Sequence, residues 1–260
     1  YDNLSPELVM AMVEEATGST ASGALFAMNS YENRVYDVGM DEGPNVIIKV
    51  YRPGRWSGDQ ILEEHQFALE LQSVEIPVVP PTMIEGRTLF EKDGYFYALY
   101  PKRGGQAVEL RTDEDFRMIG RLVARIHNIG GNGHFELRPT MSVKTYGWDN
   151  LVYLRENNCI PPDLMTAYDA TCTQVLRTIE GIWGQERNFQ TRIHGDCHLG
   201  NILRDDEMFL VDLDDCLTGP EVQDLWPLVS GERAEVTQQL GLLLEGYTPL
   251  REFDFAQLQL

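Results

Sequence analysis

The periodicity of the sequence changes near residue 101, and this change limits the fold more than any other feature. Before it, runs of β-branched and aromatic residues predict strands at residues 23–29, 34–38, 46–51 and 95–100. After it, apolar residues recur at helical spacing, as in Phe116, Ile119, Leu122, Val123 and Ile126. We therefore predict an α+β, bilobal fold with a strand-rich lobe at residues 1–101 and a helical lobe at residues 102–260.

Start signals and spacing predict the remaining elements. Ser57 and Gln60 have the spacing of a capping box, which predicts a helix at residues 58–72. The dipeptide Asp93-Gly94 predicts a hairpin turn before the last strand of the first lobe. We predict a further helix at residues 163–183, and helix again after Pro220.

A lysine and a glutamate are predicted to form an ion pair in the first lobe. Lys49 lies in the apolar strand at residues 46–51. In the next helix, Glu64 shares a face with Ile61, Ala68 and Leu71, because residues three, four and seven positions apart lie on one side of a helix. Glu63 is turned about 100° away from that face. We therefore expect Lys49 to pair with Glu64 rather than with Glu63.

The most informative segment for function is a polar loop at residues 193–201, IHGDCHLGN. It holds the carboxylate of Asp196 and the amide of Asn201, and Asp212 follows an apolar run eleven residues later. One carboxylate that orients a hydroxyl, together with oxygen ligands for Mg²⁺, is the set that phosphoryl transfer requires. His194 and His198 have the spacing of a zinc helix, but the neighbouring glycines favour a loop. We therefore expect His194 to be a structural histidine that bonds to nearby backbone, and His198 to line the loop.

Composition excludes some classes of function. The chain carries 41 acidic and 21 basic residues, a net charge of −20, so a nucleic-acid partner is not expected. There is no apolar run of ~18 residues, which argues against a membrane span. The four cysteines form no C-x-x-C pair, and the first residues lack a secretory signal. We expect a cytoplasmic protein with reduced thiols.

The loop resembles a known family. The spacing His-x-Asp-x-x-x-x-Asn, followed by an aspartate, is that of the protein-kinase catalytic loop. Here Gly195 stands in place of that loop's arginine, and DLD in place of DFG. The pattern His-Gly-Asp-x-His-x-x-Asn resembles the aminoglycoside phosphotransferase and choline kinase branch of kinase-like proteins. Longer runs resemble bacterial stress-response serine/threonine protein kinases of that fold: residues 29–36, 49–56, 61–68, 211–215, 219–220 and 223–226.

The resemblance implies a monomeric enzyme with a protein-kinase-like fold that transfers phosphate from ATP, with Mg²⁺, to serine or threonine of a protein. It implies that Asp196 accepts the proton, that Asn201 and Asp212 hold magnesium, and that Ser30 lies at the ATP. Such proteins usually continue further, so Leu260 is expected to be a truncation. The resemblance also implies that Asp224 braces the catalytic loop.

The nucleotide is expected in the cleft between the lobes. Lys49 would reach its phosphates, and backbone groups near Leu99 and Tyr100 would recognise adenine. A G-x-G-x-x-G loop is absent, but backbone amides of the hairpin at residues 28–36, with the Ser30 hydroxyl and the Asn33 amide, could cover the phosphates.

Three questions stay open at this level. The same residues could phosphorylate a small molecule, such as an amino sugar, a choline-like amine or homoserine, and the acidic balance suits a cationic one. A nucleotide-binding module without turnover is also conceivable, although the complete set of Lys49, Glu64, Asp196, Asn201 and Asp212 argues against it. Asp214 is either a second metal or substrate ligand or a residue that solvates its loop.

Overall fold

The protein is described from a computed structural model, in which residues 1, 3–184 and 191–259 are described. The chain forms two compact units. The first comprises Tyr1–Glu109 with Leu199–Asp214, and the second comprises Leu110–His198 with Asp215–Leu260. The predicted lobe boundary between residues 101 and 102 is not tested by this division and stays a prediction.

Five antiparallel strands form the main sheet of the first unit. Its strands are β1 (Ala21–Ala27), β2 (Arg34–Met40), β3 (Val46–Val50), β4 (Phe90–Lys92) and β5 (Tyr95–Pro101). They lie in the order β1-β2-β3-β5-β4. Asp93 and Gly94 both have left-handed backbone angles, with φ of 50° and 79°, as a two-residue hairpin turn between β4 and β5 requires. The four predicted strands correspond to β1, β2, β3 and β5, and they are confirmed with small shifts at their ends, as is the hairpin turn.

Two helices cover this sheet. Ser5 caps helix α1 (Pro6–Thr17), and the predicted capping box of Ser57 and Gln60 opens helix α2 (Gly58–Ser73). Ile48 of β3 is buried against α1 in the main core of the unit, whereas Tyr51 is buried with Ile61 of α2. Because successive side chains of a strand point to opposite faces, Lys49 lies on the α2 face of the sheet.

A smaller sheet completes the first unit. Its strands β6 (Gln106–Ala107), β8 (Ile202–Arg204) and β9 (Met208–Leu210) are antiparallel, in the order β6-β8-β9. The end of β9 also bonds to the segment after α2, since the Leu210 amide donates to the Pro77 carbonyl at 2.9 Å. These bonds fix the strand end from which residues 211–214 continue.

The second unit is mainly helical. Its helix at Pro162–Trp183 confirms the helix predicted at residues 163–183. Helix also returns after Pro220 as predicted, first as two short 3₁₀ turns and then as an α-helix. The elements of this unit are α3 (Asp113–Gly130), a π-helical turn (Lys144–Trp148), α4 (Asp149–Glu156), α5 (Pro162–Trp183), β7 (Arg192–Ile193), β10 (Leu217–Thr218), 3₁₀ turns (Glu221–Asp224, Trp226–Leu228, Phe255–Gln259) and α6 (Arg233–Tyr247).

Within the described ranges, no helix has both the length and the apolar character needed to cross a membrane. The helices of the second unit pack on one another instead. Helices α3 and α6 approach closely at two glycines. A Cβ atom on Gly120 would lie 2.0 Å from the Leu243 carbonyl oxygen, and one on Gly246 would lie 2.1 Å from the Arg117 carbonyl oxygen. Only glycine permits this distance between the two backbones.

We predict that Gly120→Ala destabilises the protein by at least ~2 kcal/mol, because α3 and α6 would have to separate. Gly181→Ala is the matched control, since Gly181 is also helical but its added Cβ would meet no atom within 4 Å. The control should be neutral or stabilising, by up to about 1 kcal/mol. Urea unfolding measures both values, and equal stability of the two variants would contradict the tight helix crossing.

Candidate active site

Lys49 lies on β3, opposite Ala98 of β5, and is the centre of an ionic cluster in the first unit. Its Nζ lies 3.4 Å from Oε1 of Glu64, 2.8 Å from Oδ1 of Asp212 and 3.1 Å from Oδ1 of Asp214. Both Lys49 and Glu64 are buried. The predicted ion pair between Lys49 and Glu64 is therefore confirmed.

The cluster keeps Lys49 charged. Burial alone would lower the pKa of its ammonium group, but the carboxylates of Asp212, Glu64 and Asp214 outweigh this effect and raise the pKa well above its ordinary value. A buried charge is tolerated only when it is paired in this way. Lys49 thus offers a permanent positive charge that a phosphate group could use.

Asp212 follows β9 in an unusual backbone conformation. Its φ of 61° is left-handed, and the Val211 amide just before it donates to the Asn201 carbonyl at 3.0 Å. The strand does not continue, since a 3₁₀ turn begins at Leu213. This geometry leaves the Asp212 side chain 47% exposed, although one of its oxygens reaches Lys49.

The burial of Asp214 decides against one of its two predicted roles. The sequence leaves it as either a second metal or substrate ligand or a residue that solvates its loop. Its side chain is only 4% exposed, so it does not solvate the loop. One oxygen faces Lys49 at 3.1 Å, and the other accepts a hydrogen bond from Arg55 Nη1 at 2.7 Å. Asp214 is a bridging carboxylate between two cations.

The residues predicted to hold magnesium offer suitable donors. Asn201 and Asp212 lie in segments joined by the hydrogen bond between Val211 and Asn201, and they carry amide and carboxylate oxygens. In the described ranges, no group of three or more His, Cys, Asp or Glu side chains is arranged as a metal site. The predicted roles of Asn201 and Asp212 in holding magnesium stay predictions.

Ser30 and Asn33, the two predicted nucleotide contacts in the hairpin at residues 28–36, have different surroundings. The Asn33 side chain is buried, and its Oδ1 accepts a hydrogen bond from the Arg52 amide at 3.1 Å. Asn33 therefore fixes the base of the hairpin to the loop after β3. Ser30 is half-buried nearer the tip, beside Tyr31, which is 94% exposed. The predicted contacts of Ser30 and Asn33 with a nucleotide stay predictions.

The predicted adenine strand presents two different faces. Leu99 is buried in the core with Ile48, on the α1 side of the sheet, and its carbonyl accepts from the Thr82 amide at 2.6 Å. Tyr100 lies on the Lys49 face and its hydroxyl is 3.2 Å from that of Tyr51. The Leu99 side chain is therefore enclosed in the core, and the predicted recognition of adenine by backbone groups near Leu99 and Tyr100 stays a prediction.

In the second unit, the loop that contains Asp196 is held by buried hydrogen bonds. The two oxygens of Asp224 accept from the His194 amide at 2.7 Å and the Gly195 amide at 2.8 Å. The Asp196 amide donates to Nδ1 of His194 at 3.4 Å. The structural roles expected for Asp224 and His194 are confirmed. The Asp196 side chain is half-exposed, with one oxygen 3.5 Å from Nε2 of His198.

A histidine links this brace to two helices. His127 of α3 is buried, with Nε2 at 3.0 Å from Asp224 and Nδ1 at 2.9 Å from the Tyr247 hydroxyl of α6. Burial alone would raise the pKa of Asp224, but the hydrogen bond from His127, its charge and the contacts with His194 bring the pKa below its ordinary value. Asp224 is therefore ionised at neutral pH.

The backbone at position 195 accepts glycine but not the arginine found there in protein kinases. Its φ is 84°, and a Cβ atom there would lie 2.1 Å from the Asp215 carbonyl oxygen. No other residue fits this backbone.

Sequence reasoning did not find Arg55, nor the link from His127 to Tyr247. The pairs Arg55–Asp214 and His127–Tyr247 are separated by 159 and 120 positions. No local spacing relates residues so far apart. The only signal for Arg55 is its place in the run RPGRW, four residues after the predicted end of the strand that holds Lys49.

Comparison of the sequence with known proteins finds a family and close relatives. Residues 26–260 match the model of the Phosphotransferase enzyme family. The chain is 37% identical to stress response kinase A of Escherichia coli K12, and 38% identical to the serine/threonine protein kinase RdoA of Salmonella typhimurium LT2. Each alignment covers 100% of this chain and 79% of the relative.

Solved structures share the fold. An amicoumacin kinase, solved in complex with AMP-PNP, Ca²⁺ and Ami, superposes with a TM-score of 0.78 at 20% identity, over 99% of this chain and 80% of its own. A microcompartment-associated aminopropanol kinase gives a TM-score of 0.73 at 20% identity, over 96% of this chain and 82% of its own. The chain belongs to the Phosphotransferase enzyme family, and the predicted α+β, kinase-like fold is confirmed.

We predict that Asp224→Asn loosens the loop that contains Asp196. The variant loses one charged acceptor and turns an amide N–H₂ toward donors, which should cost ~3 kcal/mol of stability. Hydrogen exchange should accelerate at the His194 and Gly195 amides. Asp163→Asn, at the exposed start of α5, is the control. Unchanged protection of both amides in Asp224→Asn would contradict the brace.

Proposed function

We propose that this member of the phosphotransferase family is an ATP- and magnesium-dependent serine/threonine protein kinase of the stress-response type, acting as a cytoplasmic monomer. The observation that carries the proposal is the buried ammonium of Lys49, held by Glu64 and lying 2.8 Å from the half-exposed Asp212. Phosphoryl transfer needs such a fixed cation next to an oxygen ligand for a metal.

Each residue of the first unit has a defined task in this proposal. Lys49 donates hydrogen bonds to the ATP phosphates, and Glu64 keeps its ammonium group in position. Asn201 and Asp212 would hold the magnesium ion, which when bound neutralises phosphate charge. Asp212 is suited to this because its exposed side can bind a metal while its backbone is fixed by the neighbouring hydrogen bond to Asn201.

Asp196 acts on the acceptor. In the proposal its carboxylate accepts a hydrogen bond from the acceptor hydroxyl and takes its proton as the phosphoryl group is transferred. The Asp224 brace supports this role because it fixes the backbone on the N-terminal side of Asp196. The side chain is half-exposed and so accessible to a substrate.

A protein acceptor is supported by the relatives rather than by the site. Proteins that share 37% and 38% identity over this whole chain are named stress response kinase A and serine/threonine protein kinase RdoA. A small-molecule acceptor is the second candidate. The net charge of −20 favours a cationic substrate of that kind, and the chemistry of Asp196 would be the same.

The test is incubation with γ-labelled ATP and Mg²⁺, alone and with a generic basic protein. We expect label on serine or threonine. Asp196→Asn should lose at least ~10²-fold in turnover while nucleotide affinity is nearly kept, because it removes only the proton acceptor. Asp206→Asn, in the exposed turn between β8 and β9, is the control and should stay active.

Two results would contradict the proposal. Full turnover by Asp196→Asn would exclude Asp196 as the proton acceptor. If protein remains unlabelled and ATP is consumed only when amines or amino sugars are added, the small-molecule kinase is correct. Nucleotide binding without transfer to any acceptor would instead identify a binding module.

A further inference from the structure

The bridging carboxylate of Asp214 connects Lys49 to a second cation. Its Oδ1 lies 3.1 Å from Lys49 Nζ, and its Oδ2 lies 2.7 Å from Arg55 Nη1. The Asp214 side chain is buried, and that of Arg55 is 22% exposed. The three groups therefore form an ionic chain from the loop after β3 to the centre of the cluster.

The local structure holds Arg55 in place. A tight turn after β3 brings the Arg55 amide to the Arg52 carbonyl at 3.2 Å, and Gly54 supplies the left-handed angle, with φ of 77°. The guanidinium lies 5.3 Å from the centre of the Trp56 ring and 3.9 Å from the Glu32 carboxylate of the hairpin. Arg55 is thus directed at Asp214 by its own loop.

The charges explain why this contact matters. Three carboxylates, from Glu64, Asp212 and Asp214, approach the single ammonium of Lys49. Arg55 supplies a second positive charge at Asp214, whose side chain is only 4% exposed. Removing one partner of a buried ion pair leaves the other charge buried without compensation. Without Arg55, the negative charge of Asp214 would therefore be balanced by Lys49 alone and would attract its ammonium group more strongly.

We propose that Arg55 is a positioning residue for Lys49: by neutralising Asp214 it holds the ammonium between two buried carboxylates, in the place where it meets the phosphates of the nucleotide. The proposal rests on the proposed use of ATP. Glu64 and Asp214 are then fixed anchors of Lys49, and the exposed Asp212 is the carboxylate that can turn from Lys49 to another ligand.

The variants that test this are Arg55→Met, Arg55→Lys and, as the matched control, Arg52→Met. Arg52 lies on the same loop, but its side chain is 58% exposed and pairs with Glu32 at 2.7 Å. Binding of ATP with Mg²⁺ is measured by titration calorimetry on the whole chain. We expect about tenfold weaker binding for Arg55→Met, a smaller loss for Arg55→Lys and little change for Arg52→Met.

A rescue experiment separates positioning from general damage. Asp214→Asn removes the charge that Arg55 neutralises, so it should restore at least ~3-fold of the affinity lost in Arg55→Met. A variant that merely unfolds the loop would not be rescued in this way. Circular dichroism and urea unfolding are recorded for each protein, and Arg55→Lys serves as the test if Arg55→Met does not fold.

A second readout needs no nucleotide. The reactivity of Lys49 toward an amine-acylating reagent, followed by mass spectrometry, should change in Arg55→Met and not in Arg52→Met. If this change occurs but the wild-type protein binds no ATP, the proposed function is wrong and the positioning role stands. If Arg55→Met and Arg52→Met match the wild type in both ATP affinity and Lys49 reactivity, the positioning role is overturned.

Discussion

A buried ammonium group needs negative partners, and Lys49 takes them from two distant segments of the chain. Glu64 comes from α2, while Asp212 and Asp214 come from the turn after β9, more than 160 positions away from Lys49 in the sequence. Removing either segment would leave a charge buried without its partner, which is among the costliest changes a fold can undergo. The cluster therefore fixes the position of α2 and of residues 211–214 on the sheet of the first unit.

The second unit depends on a comparable constraint around Asp224. Two backbone amides and a histidine converge on one buried carboxylate, and the histidine is itself bound to the hydroxyl of Tyr247. Backbone N–H groups that are buried must find an acceptor. The loop that carries Asp196 can therefore be irregular and still well defined, because Asp224 replaces the partners that regular secondary structure would provide.

The features of the fold and of the candidate site that follow a local rule could be predicted from the sequence. The helical phase of α2 selected Glu64 over Glu63, the capping box placed the start of α2, and Asp93-Gly94 placed a hairpin turn. Local rules do not reach the rest. The left-handed backbone at Asp212 and the hydrogen bond between Val211 and Asn201 follow no local sequence rule. The burial of Asp214 depends on Arg55, which no spacing links to it.

We propose Lys49, held by its carboxylates, as the phosphate-binding site for ATP. The most direct test is calorimetric titration of the whole chain with ATP and Mg²⁺, comparing Lys49→Met with Lys144→Met, a change at an exposed lysine paired with Asp149. The account predicts that Lys49→Met binds at least about tenfold more weakly, a loss of ~1.4 kcal/mol, while Lys144→Met binds like the wild type. Undiminished affinity in a folded Lys49→Met variant would contradict it.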